Sequence, residues 1–310
     1  MKNKDSGSPF ALAIHGGAGT LRPERMTGER AEKYKTALRE ALAAGEALLK
    51  SGKSALDAVE AAVIALEDNP LFNAGKGSVF NQDGNIEMEA SVMWGPIQEA
   101  GAVSLLSRVK NPVSLARAVM EHSPHVMLTG MGAEDFALKM GAEMKPPAYF
   151  HTTRRRNQWE RARNSNTIHL DHDNPKGTVG AVALDKKGHL AAATSTGGMT
   201  CKLSGRMGDT PVIGAGTYAK DGCVAVSCTG HGEFFIRGIV AYDVACLIEY
   251  AGLSLEAACQ RVIHEKQKTL GGMGGLIAIG SKGEIALPFN TTGMYRGWVR
   301  EGEVGEVAIF

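Results

Sequence analysis

From Phe10 to Gly19 the chain reads FALAIHGGAG, an apolar run that predicts a short buried strand opening into a glycine loop. Apolar positions then recur at helical spacing over about residues 27–49, and again in SALDAVEAAVIALEDN, where Ser54 stands as N-cap. In PLFNAGKGSVFNQDGNIEMEASVMWG the period changes: Asp83-Gly84 supplies a turn, and Ile86, Met88 and Ala90 alternate with acidic residues. EAGAVSLL predicts the next strand, and NPVSLARAVMEHS and GAEDFALKM two further helices. Over about residues 145–177 the apolar period fades into dense charge and turn formers, which predicts a long, exposed, flexible connection.

The apolar pattern resumes at TVGAVALD and HLAAATSTGG, a buried hairpin around Lys187-Gly188, followed by strands in PVIGAGTYA and CVAVSCTG on either side of Asp221-Gly222. EFFIRGIVAYDVACLIEYAG and SLEAACQRVIHEKQKT read as helices, and LIAIGS, KGEIALPFN and EVAIF as closing strands. Strand runs that are apolar on both faces, interleaved with helix pairs, predict an α/β chain whose sheets are covered by helices. A four-layer αββα sandwich fits that order.

Composition narrows the function classes. A net charge of +1 with interspersed signs gives no electrostatic reason to expect nucleic acid or an anionic membrane as partner. No apolar run approaches the ~20 residues of a membrane span, and MKNKDSGSPF lacks the apolar core of a signal peptide, so a cytoplasmic protein is expected. The 5 cysteines lack CxxC spacing and read as free thiols rather than a zinc site. The 39 glycines fall in clusters, not at a fixed period, which points to close backbone approaches around a site.

HGGAG suits a phosphate cradle, an oxyanion-hole loop or a plain turn, but the GK[ST] of a P-loop is missing and so is the GxSxG of a serine hydrolase. His231 in CTGHGE is a candidate base or an ordinary loop residue. In GRMGD, Arg206 and Asp209 are placed to hold the α-carboxylate and α-ammonium of an amino acid, or else to pair on the surface. Thr178, Thr196 and Thr229 each close or open a predicted strand. A threonine hydroxyl needs a base within reach, and none is supplied nearby in sequence. Cutting the Gly177–Thr178 bond would create one, because a free α-amine has a reference pKa of about 7.7–8.0.

AIHGGAG, ALDAVEAAVIALEDNPLFNAGKGSVF, GTVGAVALD, LAAATSTGGMTCKLSGRMGDTPVIGAGTYA, VSCTGHGEFFIR and LPFNTTGMYRGW together resemble the plant-type L-asparaginase and isoaspartyl peptidase family of N-terminal-nucleophile hydrolases. The resemblance implies one αββα domain over residues 1–310, cut between residues 177 and 178 into an α chain and a β chain, and assembled as a dimer of αβ units. It makes Thr178 the nucleophile, Thr196 its orienting partner, Thr229 and Gly230 the oxyanion hole, and Arg206, Asp209 and Gly232 the substrate site. Gly177, Asn73, His15, Gly16 and Gly17 would shape the site and assist the cut. Leu66, Glu67, Asn69, Phe72, Ala74 and Lys76 would hold a structural sodium ion through backbone oxygens, with no cofactor needed for catalysis. The implied substrates are L-asparagine and β-aspartyl dipeptides. A glycosylasparaginase-like enzyme, a threonine endopeptidase of the same superfamily and an uncleaved amino-acid-binding relative are the alternatives. His231, where a small residue is common, and Glu89, where aspartate is frequent, depart from the family pattern.

Overall fold

The computed structural model describes residues 9–21, 23–164 and 177–310. Its first strand, β1 (Ala11–Gly19), leads to helices α1 (Gly28–Lys50) and α2 (Ala55–Asp68), then to the hairpin β2 (Met88–Trp94) and β3 (Glu99–Leu106). Helix α3 (Pro112–His122), the short edge strand β4 (Met127–Thr129), α4 (Gly130–Lys139) and α5 (Thr153–Asn164) follow. After the undescribed stretch come β5 (Val179–Leu184), β6 (Leu190–Thr196), β7 (Thr217–Lys220) and β8 (Val224–Gly230). Helices α6 (Gly232–Gly238), α7 (Val240–Glu249) and α8 (Leu255–Gln260) precede β9 (Gly274–Gly280), β10 (Ile285–Ala286), β11 (Gly293–Arg300) and β12 (Glu306–Ala308).

The strands pair into two sheets, one of eight strands in the order β12-β11-β1-β5-β6-β2-β3-β4 and one of four in the order β10-β9-β8-β7. Along β5 the side chains alternate between two apolar clusters: Val179, Ala181 and Ala183 join α1, α2 and α3, while Val182 and Leu184 join the strands of the smaller sheet and α7. Gly180 lets that face approach the neighbouring sheet closely, since a Cβ there would meet Ser227 Oγ at 2.0 Å, and β5 contacts both β8 and β9. Antiparallel pairing in this order places the start of β5 beside the end of β6, with Val179 opposite Ser195.

Helix placement follows local chemistry as well as the apolar stripes. Thr27 caps α1 by accepting the Arg30 N–H, and Ser54 with Asp57 forms a reciprocal capping box on α2. The α1 stripe buries Tyr34, Leu38, Leu42 and Leu49. Each buried leucine contributes about 1.5–3 kcal/mol, against differences of at most ~1 kcal/mol per residue in intrinsic helix preference outside proline, so packing decides its position. The first turn of α3 is capped from a distance: Glu67 Oε1 accepts the Val113 N–H at 3.0 Å and the Ser195 hydroxyl at 2.6 Å. Burial pushes the Glu67 carboxyl up to about 8.

Several expectations change. The HGGAG segment is not a loop after a strand but part of β1, which continues to Gly19 through an irregularity between His15 and Gly17. The connection expected over 145–177 contains α5, with Phe150 buried just before it and Arg155 buried within it; residues 165–176 of that connection, His169 and His172 among them, lie outside the described residues. Arg154 and Arg155 anchor α5 through the Tyr34 hydroxyl and the Gly77 carbonyl, tertiary partners that charge density in the sequence does not reveal. In β2 the acidic residue between Met88 and Ala90, Glu89, is fully buried against Lys202, a pairing the alternation does not reveal. PVIGAGTYA yields only the strand Thr217–Lys220, and the long helix from 233 breaks at Ile239, whose φ is 45°. Strands β4 and β11 were not anticipated; GMYRGWVR lacks a clean alternation because glycines occupy close approaches, Gly297 lying against Glu306 and Val307. Among the described residues no helix is long and apolar enough to cross a membrane.

Candidate active site

Strand register brings two of the three threonines named from sequence together, and the third reaches β1 from the smaller sheet. Thr178 enters β5 opposite the end of β6, and its hydroxyl donates to Thr196 Oγ1 at 3.2 Å. Thr196 Oγ1 also accepts the Gly198 N–H at 3.0 Å, which directs a lone pair of Thr196 back into its own loop. Thr229, from β8, accepts the Ala18 N–H of β1 at 3.2 Å, so the strand carrying HGGAG and the smaller sheet meet at this hydroxyl. All three threonines are buried.

His15 and Asn73 close the site from the N-terminal side. His15 Nδ1 lies 2.9 Å from the Thr178 carbonyl oxygen and Nε2 lies 2.9 Å from Ser227 Oγ. Asn73 Oδ1 accepts the Val79 N–H at 3.0 Å while its Nδ2 donates to the Gly198 carbonyl at 2.7 Å, tying the loop after α2 to the loop after Thr196. A Cβ added at Gly177 would stand 3.4 Å from both Asn73 Cβ and the Gly16 oxygen, so the residue before Thr178 rests on these two segments. Gly16 itself is pressed against the Phe72 ring, and Gly17 has a φ of 110° that favours glycine.

Arg206 and Asp209 are brought to the same place but not into a simple pair. Arg206 Nε and Nη2 lie 2.9 and 2.8 Å from Glu233 Oε1, a partner sequence reading missed because it sits in another motif. Asp209 is buried, and its Oδ2 has no hydrogen-bond partner among the described residues. Burial pushes the Asp209 carboxyl up to about 7, the neighbouring Arg206 opposing and Glu89 and Glu233 reinforcing the rise. Between these groups lies Gly232, where a Cβ would meet Arg206 Nη2 at 2.8 Å and Asp209 Oδ1 at 2.9 Å. A guanidinium and a carboxylate oxygen without a partner, flanking a bare glycine, offer the two opposite charges that a small zwitterion would need. Gly230, with a φ of 156°, approaches the Met273 oxygen and Gly274 Cα and can carry no side chain there. His231 is buried against Phe234 next to it.

Also unforeseen was a buried hydroxyl chain behind His15. Ser227 Oγ meets Thr194 Oγ1 at 2.7 Å, Thr217 Oγ1 donates to Thr194, and Ser91 Oγ donates to the Thr210 carbonyl at 2.6 Å while lying 2.8 Å from Thr217 Oγ1. Scattered serines and threonines in apolar strands give no sequence signal for such a chain.

The loop of Leu66, Glu67, Asn69, Phe72, Ala74 and Lys76 curls so tightly that a Cβ at Gly75 would meet the Glu67 oxygen at 2.5 Å and one at Gly77 the Phe72 oxygen at 2.0 Å. The Leu66, Asn69 and Ala74 carbonyls each accept a backbone N–H, which leaves one lone pair per oxygen. This donor set suits a hard cation held by carbonyls. No cluster of three or more His, Cys, Asp or Glu that could hold a metal occurs among the described residues.

The asparaginase family model matches residues 8–309. Over 306 residues, covering 96% of this chain and 95% of the relative, the chain is 52% identical to the isoaspartyl peptidase of Escherichia coli (strain K12). It is 44% identical to the probable isoaspartyl peptidase/L-asparaginase 2 of Arabidopsis thaliana, covering 97% and 99% of the two chains, and 42% identical to the isoaspartyl peptidase/L-asparaginase of Mus musculus, covering 95% and 89%. Glycine-lined threonines, a guanidinium beside a buried carboxylate and a match of this extent agree: the chain belongs to the asparaginase family that the resemblance named.

Proposed function

We propose that the chain is an autoprocessed threonine hydrolase of the N-terminal-nucleophile type, with an αββα layering, that cleaves β-aspartyl dipeptides and L-asparagine and releases L-aspartate. The observation that carries this reading is the 3.2 Å contact between the Thr178 and Thr196 hydroxyls at the entry of β5, with Glu89, the cross-strand partner of Thr196, accepting the Gly208 N–H between Arg206 and Asp209. Relatives named isoaspartyl peptidase and L-asparaginase supply the substrate class.

In this reading the Gly177–Thr178 peptide is hydrolysed and the Thr178 nitrogen becomes an α-amine. That amine takes the proton of the Thr178 hydroxyl as Oγ1 attacks the side-chain carbonyl of the substrate. Thr196 orients the attacking oxygen. The oxyanion is met by donors at Thr229 and Gly230. The C–N bond then breaks, the amine returns its proton to the departing ammonia or amino acid, and water hydrolyses the β-aspartyl ester on Thr178. Arg206 takes the substrate α-carboxylate on the edge left free by Glu233, and ionised Asp209 takes the α-ammonium.

The carbonyl loop of residues 66–76 would hold a sodium ion in a structural role, away from bond making. A dimer of αβ units in the cytoplasm completes the reading, with light scattering of the processed protein as its check. N-terminal sequencing after incubation at neutral pH decides the central point: a new terminus reading TVGAVALD together with aspartate release supports it. A chain that stays whole and fully active refutes it.

A further inference from the structure

Lys202 and Glu89 are an ion pair without solvent, their side chains 1% and 0% exposed and Nζ 3.3 Å from Oε1. A buried pair is weak evidence for stability, since desolvation offsets attraction, so its remaining contacts indicate what it is for. Glu89 Oε2 accepts the Gly208 N–H at 2.9 Å, inside the loop that carries Arg206 and Asp209. Lys202 Nζ donates to the Glu87 carbonyl at 2.7 Å and packs under Gly198, where a Cβ would meet Nζ at 2.8 Å. Gly198 has a φ of 80°, gives its N–H to Thr196 Oγ1 and takes the Asn73 amide on its carbonyl. Glu89 is also the cross-strand partner of Thr196 in the β2–β6 register.

We infer that Lys202 and Glu89 are positioning residues that lock the loop holding Thr196 to the loop holding Arg206 and Asp209, fixing the distance between the reacting hydroxyl and the substrate's α-carbon group. The inference rests on the threonine-hydrolase reading. It goes beyond that reading because neither residue reaches the substrate in it. Through Glu89 the pair also contributes to the field at the ammonium-binding carboxylate, beside Arg206 and Glu233. Among the described residues, the charged and titratable groups that interact electrostatically with Asp209 include Arg206 on its own loop, Glu89 on β2, Glu233 on α6 and the Cys228 thiol on β8. Glu89 disfavours ionised Asp209, and Lys202 beside Glu89 balances that charge.

The test is the pH profile of kcat/KM for β-aspartyl-leucine between pH 5 and 9 in Lys202→Met, Glu89→Gln, the double variant and Glu89→Asp, with thermal unfolding of each. Glu89→Gln is expected to move the acid limb down by about one pH unit and Lys202→Met to move it up by about as much, from the usual size of a neighbouring-charge effect. The double variant returns the limb towards the wild-type position, and Glu89→Asp leaves it there. Acid limbs that coincide in all variants, with rate losses that only track lost stability, overturn the inference. If Lys202→Met does not fold, Glu89→Gln and the double variant carry the same comparison. Should the wild-type protein hydrolyse neither the dipeptide nor asparagine, the functional reading fails, and calorimetric binding of L-aspartate across the same pH range tests the pair on its own.

Discussion

The Nδ1 of His15 lies 2.9 Å from the carbonyl oxygen of Thr178, and its Nε2 lies 2.9 Å from Ser227 Oγ. A carbonyl only accepts, so the proton sits on Nδ1 and Nε2 accepts from the serine. Burial pushes the imidazole down to about 3, the bond to Thr178 only partly opposing it, which keeps His15 neutral in the working range. The histidine thus holds the backbone of Thr178 rather than acting as its base. A lowered basic pKa means the unfolded chain binds a proton that the folded chain refuses between about 6.5 and 3. Stability is therefore expected to fall as pH drops through that window. In His15→Gln the acid-side decline measured by urea unfolding from pH 7 to pH 4 should flatten, and a curve parallel to wild type would contradict this account. At pH 7, Ser227→Ala removes the donor to Nε2 and should lower stability by about 1–3 kcal/mol.

Asp209 predicts the opposite sign. Its carboxyl is raised from 3.8 to about 7, so the folded chain binds a proton that the unfolded chain has lost between those values. Its contribution to stability declines as pH rises from about 4 to 7, and Asp209→Asn should stabilise the free protein most above pH 7. Substrate reverses the balance, because an ammonium favours the ionised carboxylate. KM for L-asparagine is expected to rise as pH falls below about 7, and in Asp209→Asn it should be high and nearly independent of pH. A wild-type KM flat from pH 5 to pH 8 would remove Asp209 from this role.

These two residues show what the chain discloses before folding. GRMGD and the three threonines were legible because their residue types state a chemistry and their glycines state a close approach. His15 was legible as part of a glycine segment, but its proton arrangement was not. That arrangement depends on Ser227, Thr194, Thr217 and Ser91, which strand register collects from β8, β6, β7 and β2. Glu89 was legible only as an acidic residue in an alternating strand and a departure from the family pattern, because only the folded chain places Lys202 against it. Helix α5 was hidden in a charged stretch for the same reason: its anchoring partners, Tyr34 and the Gly77 carbonyl, are far away in sequence.

Gly180 makes the His15 arrangement testable by sterics alone. A Cβ there would stand 2.0 Å from Ser227 Oγ and 2.5 Å from His15 Nε2, closer than real Cβ contacts, and β5 is paired on both sides. Gly180→Ala is expected to break the His15–Ser227 bond, slow the cut before Thr178 at least ~10-fold and destabilise the fold by about 1–3 kcal/mol. Intact mass against time at neutral pH reads the first effect. Cleavage at the wild-type rate would show that His15 does not need Ser227.

Gly232 separates recognition from folding. Its added Cβ would lie 2.8 Å from Arg206 Nη2 and 2.9 Å from Asp209 Oδ1, groups assigned to substrate, and 3.1 Å from the Asp209 nitrogen. The Arg206 side chain is partly exposed, so it can swing aside; Asp209 is buried and cannot. Gly232→Ala should therefore cleave before Thr178 as wild type does, while KM for L-asparagine rises at least ~10-fold, a loss of roughly 1.4 kcal/mol in binding. Gly132→Ala is the matched control: it lies in α4 with nothing within 4 Å of the new Cβ and an ordinary helical φ. There the methyl restricts the unfolded chain and should raise stability by about 0.4–1 kcal/mol, with kinetics unchanged. If Gly232→Ala lost stability and kept its KM, the glycine would serve the turn into α6 and not the substrate.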